Sequence, residues 1–399
     1  MSEFKSPNFR NEDGSAAPDI VGVTTFTSPY YFVPPSGTTA ERPSGDGLAP
    51  GMLRFNTDIG RLEVWRGDHW ATILGESPNL GNQLVSNSAG GTGTRAVIAG
   101  GFSPDPSPGV TYADMDYITI EILGVAQDFG DLSAGRSSSA TASDTTRGLF
   151  QGGGAPTITS STRKFTFAST GSDANFGNLI TSFAHHFGCS NSTRGVFGGS
   201  QAPTYSTTLE YVTIQADGTA SDFGDITSGL YRRGSVCSST RGVIMGNYAP
   251  SGDAYNNWNT IEYITIASTG DAQDFGDLTT TSSDSSSTSN SIRGIRFGKW
   301  PTAPTTPQAL AEVMDYITIA TRGDAQDFGD LTPSTRYHTH STASSTRAVI
   351  CGGTASTAPQ VTSRIDYVTI ATTGNSLEFG SLVVAARGRS AVSNGHGGL

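Results

Sequence analysis

Little of this sequence is charged, and very little of it is lysine. Charged residues make up 15% of the 399 positions, against about 25% in an ordinary soluble domain. Of the 24 basic residues only Lys5, Lys164 and Lys299 are lysines, and the 35 acidic residues leave a net charge of −11. Such a balance argues against nucleic acid or an anionic membrane surface as a partner. Cysteine is scarce as well. Cys189, Cys237 and Cys351 are too few and too scattered for a disulfide framework or a paired-cysteine metal knuckle, so folding in a reducing cytosol is expected. No apolar stretch approaches the ~18–20 residues of a membrane span, which excludes membrane insertion through a helix. The opening MSEFKSPNFRNEDGS lacks the charged-then-apolar layout of a secretion signal. Long amphipathic helices are missing too, since no stretch keeps a 3.6-residue apolar period.

What is abundant is glycine (50) and proline (19), with aromatics holding at 9%. Many turns, few charges and a normal aromatic supply describe a turn-dense β protein.

Self-comparison reveals a repeat. Tyr-Ile-Thr-Ile, or a close variant, recurs with Tyr117, Tyr211, Tyr263, Tyr316 and Tyr367, and Lys164 takes the place in the second copy. Each is followed 12 residues later by the phenylalanine of an Asp-Phe-Gly-Asp-Leu-like string: Phe129, Phe176, Phe223, Phe275, Phe328 and Phe379. A second string, Thr-Arg-Gly-Val and its variants, places Arg95, Arg147, Arg194, Arg241, Arg293 and Arg347. From each phenylalanine to the next arginine the spacing is 18, 18, 18, 18 and 19. Only the arginine-to-tyrosine interval is elastic, running 22, 17, 17, 22, 23 and 20.

These intervals predict four strands in about 50 residues. Alternation at Tyr263–Ile266 sets Tyr263 and Thr265 on one face and Ile264 and Ile266 on the other. Gly242–Met245 and Arg347–Cys351 are short, continuously apolar runs suited to strands buried on both faces. Arg233–Ser238 and Ala272–Phe275 supply the other two. One such sheet cannot bury both faces alone, whereas copies stacked radially can. The segment Arg387–Asn394 resembles the stretch before the arginine in every other copy, and its missing continuation is the Arg95 strand. The expectation is an all-β chain: residues 81–399 as a six-bladed β-propeller closed by a C-terminal strand, with an open solenoid as the alternative.

Length variation confined to one interval marks loops on one face, often the binding face. They run roughly over Phe102–Met115, Ala155–Thr162, Gln201–Leu209, Asn247–Ile261, Lys299–Met314 and Thr354–Ile365. They carry Tyr112, Tyr205, Tyr248, Tyr255, Trp258 and Trp300, which are the candidate ligand-binding residues. Flat aromatics beside amides suit sugar rings and polar protein surfaces; packing over neighbouring loops or a sister subunit would use them equally well.

Residues 1–80 do not carry the repeat. The first 50 are rich in proline and predict an extended arm. Residues 51–80 predict a three-stranded meander of Met52–Phe55, Arg61–Trp65 and His69–Ile73, with tight turns between. Phe55, Trp65 and Trp70 are its candidate anchoring residues. A piece this small is marginal alone and is expected to dock on something.

The string Glu41-Arg42-Pro43, Gly51–Asn56, Gly60–Glu63, Trp65, Gly67 and Trp70 resembles a motif common in tailed-bacteriophage fibre and virion structural proteins. It covers about 35 residues in a fairly specific order. The repeats are similar to those of marine-phage virion proteins, and distantly to kelch repeats through the apolar strand ending in Gly-Gly, though the kelch tryptophan is missing. The resemblance implies a virion location, a front end (residues 1–80) attached to other virion proteins, and a distal domain facing the host. It further implies a homo-oligomer whose partner is a host surface glycan or protein. A capsid decoration or assembly protein shares every one of these features, and a propeller enzyme acting on polysaccharide is a further alternative.

No catalytic set can be named. Asn/Asp-Phe-Gly occurs five times and reads as a repeated turn with a buried phenylalanine, not a kinase metal motif. Asp271, Asp274 and Asp277 lack the spacing of a calcium loop. His338 and His340 share a strand face and His185 and His186 are adjacent, but spacing places no third metal ligand. No serine sits in a Gly-x-Ser-x-Gly elbow. The repeat arginines are expected to pair with acidic residues or with carbonyls between blades. No enzyme activity, cofactor or metal is expected.

Overall fold

The computed structural model describes residues 34–45, 47–58, 61–72 and 94–399, except 106, 108, 155–156, 186, 201–205, 228–232, 249–256, 282–283, 300–310, 332–335 and 356–360. The chain divides into two units, Met1–Leu80 and Gly81–Leu399.

In the first unit, Leu53–Asn56, Arg61–Trp65 and Trp70–Thr72 form an antiparallel meander. A short fourth strand, Ser36–Gly37, joins it in parallel beside Phe55 and Asn56. It comes from within the stretch expected to be extended arm. The amides of Phe55 and Thr57 donate to the carbonyls of Pro35 (2.8 Å) and Gly37 (3.0 Å), so this edge of the meander is paired.

The second unit is β-propeller-like, and its described residues contain no helix. Six four-stranded antiparallel sheets follow one another along the chain. The fourth shows the pattern: Gly234–Cys237 inside, then Arg241–Tyr248, Asn257–Thr265 and Gln273–Asp277 outside. The first sheet draws on distant parts of the sequence. Its inner strand is Ser390–Ser393, paired with Arg95–Ala99 through Ser390↔Ala99 and Ser393↔Ala96. Asp114–Thr119 and Gln127–Asp131 complete it. Each outer strand starts a residue later and runs further than the sequence pattern predicts, because the Phe-Gly-Asp segment itself pairs in the ladder across a β-bulge.

Apolar burial lies between sheets. Among the described residues six clusters are found, one for each neighbouring pair, and the pairing of last with first is among them. There Ala96, Ile98 and Ile118 meet Val349, Ile365 and Phe379. Each of the larger side chains here, Ile98, Ile118, Val349, Ile365 and Phe379, contributes about 1.5–3 kcal/mol on burial.

The repeat residues join these sheets. Every repeat arginine donates to a main-chain carbonyl of the next sheet: Arg95 to Phe167 (2.7 Å), Arg194 to Ile266 (3.1 Å), and Arg347 to Ile120 of the first sheet (2.8 Å). Its guanidinium lies over the repeat tyrosine of its own sheet, as with Arg194 and Tyr211 at 4.2 Å. The repeat phenylalanine meets that tyrosine edge-on. Where Lys164 replaces tyrosine, Asp217 of the third sheet binds both Lys164 and Arg147 instead.

The Asp-Phe-Gly turns are splices. The carbonyl of Phe223 accepts from Gly270 N–H at 2.7 Å, and that of Phe379 from Gly124 N–H at 3.0 Å. Gly224 has φ +145, and a Cβ there would lie 2.5 Å from the Gly270 carbonyl oxygen. Asp271 accepts from the Asp225 amide (3.0 Å), which gives it a structural role. The acid before each repeat tyrosine is buried, and Glu210 caps the preceding sheet, accepting from the amides of Ile180 (2.8 Å) and Thr181 (3.0 Å).

Candidate functional site

Strand register places the second-to-third hairpins and the segments feeding the inner strands at one end of the sheets. In the second sheet Ala140 pairs with Gln151, Gln151 with Thr162, and Ser161 with Asn178. The elastic intervals therefore surround the inner strands at that end, as loops of variable length should.

Their structure is set five and six residues after the repeat arginine. The fifth position is always a glycine in the left-handed region, for example Gly246 at φ +63 and Gly352 at φ +58. Where the sixth is also glycine, as at Gly101, Gly153 and Gly353 (φ +108 to +113), the chain folds inward. It then pairs with the segment entering the inner strand of the same sheet: Phe102 with Arg387, Gly154 with Ser137, Thr354 with Tyr337. Where the sixth is Ser200, Asn247 or Lys299, the ladder continues past a bulge. The third, fourth and fifth sheets thus carry long hairpins, and the first, second and sixth carry segments folded over the inner strands. Much of what the interval variation predicts as loop is strand.

Inner strands surround a polar channel. Thr141, Ser235, Ser287 and Ser341 occupy the same strand position and line it. Just before five of the six inner strands the described residues include one in left-handed conformation: Ser138 (φ +56), His185 (+56), Asp284 (+53), His338 (+51) and Gly388 (+60). Four non-glycine residues hold this strained backbone at equivalent positions, which makes the region a candidate site. Main-chain bonds link four of them around the mouth. Ser138 N–H donates to Gly388 O (2.7 Å), Gly388 N–H to His338 O (3.1 Å), and His338 N–H to Asp284 O (3.3 Å). His338 Nε2 lies 3.0 Å from Asp284 Oδ1. Burial, reinforced by His338 and His185, pushes His340 down to about 3, so it stays neutral.

Buried ion pairs fix the segments that carry this ring. Arg389 meets Asp116 at 3.2 Å, and Arg336 and Arg233 bind Asp366 and Glu262. Burial pushes Asp116 and Asp366 above the usual carboxylate range, opposed by Arg389 and Arg336. At the other end of the channel, His396 contacts Ser190 Oγ and Cys237 Sγ (3.3 and 3.6 Å). Burial raises the Cys237 thiol to about 11 and that of Cys351 to about 12, which makes both poor nucleophiles. No group of described residues has the arrangement of a metal site.

Among the candidate ligand-binding residues, Tyr112 is half-buried beside the first sheet's inward segment, its amide donating to Gly101 O (2.9 Å). Tyr248 and Trp258 lie in the fourth sheet's long hairpin, where Tyr248 pairs with Asn257 and Asn247 with Trp258. Tyr205, Tyr255 and Trp300 lie outside the described residues. The mouth ring escapes a reading by motif. It is nonetheless encoded, since Ser138, His185, Asp284 and Gly388 each follow a repeat phenylalanine by nine residues, and His338 by ten.

In the first unit the rings of Trp65 and Trp70 lie 5.5 Å apart, and Trp70 Nε1–H donates to Pro43 O (2.9 Å). Phe55 is half-buried. The centre is a residue that hydrophobic reasoning passes over. Glu63 is fully buried and accepts from Arg42, from Arg54 (3.2 Å) and from Asn56 (3.0 Å). The Arg42 hydrogen bond, aided by Asn56 and Arg54, holds the carboxyl below its ordinary value.

Comparisons of the chain with protein-family models and with curated proteins find no match.

Proposed function

We propose that the six sheets close into a six-bladed propeller and that the chain is a non-catalytic structural protein of a tailed bacteriophage virion. Residues 1–80 attach it to other virion proteins, and residues 81–399 recognise a host surface glycan or protein as a tail-fibre or tail-tip module. One observation carries the recognition role: three consecutive sheets bear long hairpins at the mouth end. Five of the six candidate aromatics fall in their hairpin intervals. A rigid scaffold with one variable face suits adhesion, and many copies on a particle multiply weak contacts. The attachment role draws on the motif of the first unit, whose Arg42, Arg54, Asn56 and Glu63 build one buried node.

The test is adsorption of labelled full-length protein to a panel of bacterial cells. Saturable adsorption lost on Trp258→Ala or Trp300→Ala is the expected result. Incorporation into virions without adsorption to any cell would replace this reading with a capsid decoration or assembly role.

A further inference from the structure

The mouth of the channel opens into a cavity of about 260 Å3 lined by Phe102, Ser138, His185, His338, Arg387 and Gly388. Beneath it lies a space of about 120 Å3, where the hydroxyls of Ser285, Ser287 and Ser341 are buried with no hydrogen-bond partner among the described residues. Among the described residues, no carboxylate lines the upper cavity. Asp284 is engaged by His338. In a chain of net charge −11, the upper cavity thus presents one cationic side chain, Arg387, among neutral groups.

Arg387 stands apart from the other buried and half-buried arginines described in the unit. The repeat arginines are held by carbonyls, and Arg233, Arg296, Arg336 and Arg389 by carboxylates. Arg387 pairs with Phe102 through its main chain (2.8 and 3.1 Å). Among the described residues its guanidinium meets only the face of the Phe102 ring, 5.4 Å from the centroid. An aromatic face steadies the fork without using its five N–H donors.

We propose that this mouth binds a carboxylate-bearing sugar. The carboxylate is received by the Arg387 fork, and the ring hydroxyls by Ser138, His185, His338 and the serines beneath. A planar two-oxygen anion matches a guanidinium bidentately. A phosphate site built on left-handed turns would instead use main-chain N–H groups. Here those of Ser138, His338 and Gly388 are already donated to neighbouring carbonyls. The volume is just under the roughly 300–1,000 Å3 of pockets for drug-sized ligands, so it admits one sugar ring. The inference deepens the recognition role above and rests on it for its biological meaning.

Calorimetric titration of the full chain with glucuronate, glucose and inorganic phosphate tests it. Glucuronate should bind at least about tenfold more tightly than either of the others, a difference of about 1.4 kcal/mol. Arg387→Gln should remove that margin, while Arg322→Gln, on an exposed arginine elsewhere, should leave it intact. Glucuronate should also protect Arg387 of the unaltered protein from modification by phenylglyoxal, a readout independent of any variant's folding. Glucose or phosphate binding as tightly as glucuronate, an unchanged Arg387→Gln or an absence of protection would overturn the site. Sugar binding without cell adsorption supports the site and sinks the adhesion role; adsorption without sugar binding does the reverse.

Discussion

Gly224 and Gly270 face each other across one splice with nearly the same backbone, φ +145 and +151, but in different surroundings. An added Cβ at Gly224 meets main chain at 2.5 Å, and one at Gly270 meets nothing within 4 Å. Both alanine substitutions bear the conformational cost, about 1–2 kcal/mol. Only Gly224→Ala must also push two sheets apart, which should bring its total to roughly 3–5 kcal/mol. Urea denaturation of the two variants reads the difference directly. Equal losses would mean that backbone conformation alone demands glycine there. The Phe-Gly pair is legible in the sequence as a turn, because spacing reveals recurrence. That the turn belongs to the seam between two sheets is not, since the atoms excluding a Cβ come from the next repeat.

The small sheet of the first unit is an element organised around a charge. Glu63 titrates below its ordinary value of 4.5 in the folded state and near that value when unfolded. Its stabilising contribution is therefore complete above about pH 4.5 and is lost as pH falls through the folded value. Hydrogen exchange over residues 61–72 should accelerate in that acidic range for the natural protein. In Glu63→Gln it should be faster already at neutral pH, and flatter with pH. A protection profile that Glu63→Gln leaves unaltered would show that the tryptophans, not the carboxylate, hold the meander. Strand positions here follow from alternation and turn residues. The buried glutamate does not, because a lone acid in a half-polar strand reads as solvent-facing until Arg42, sequence-distant, closes over it. The long hairpins have a similar cause. Interval length announces variation, while the residue after the left-handed glycine decides between inward segment and continued ladder.

At the scale of the whole second unit, the first sheet is the point where sequence-distant strands meet. Removing residues 390–399 strips Arg95–Ala99 of one ladder and exposes the Ala391 and Val392 contacts to the neighbouring sheets. The seam hydroxyls go too: Ser143 Oγ donates to Ser393 O (2.7 Å) and Ser393 Oγ to Ala343 O (2.5 Å). Calorimetry should show a single sharp unfolding transition for the full second unit. For the shortened chain the transition should broaden and fall by more than about 10 °C, since a loss of several kcal/mol shifts a large domain by a few degrees per kcal/mol. An unchanged transition would mean that the six sheets are stable as an open stack. This pairing is legible because Arg387–Asn394 repeats the pattern before each arginine, whereas the ring of left-handed residues needs the strands in place before it can be seen.

The same strand has a mechanical consequence. Any pull arriving through the residues before Thr94 is delivered to Arg95–Ala99, which is laddered to Ser390–Ser393 on one edge and Asp114–Thr119 on the other. Tension along it loads two rows of hydrogen bonds together in shear, with no free edge from which to peel. Under traction the molecule should hold at its point of entry and give way elsewhere first.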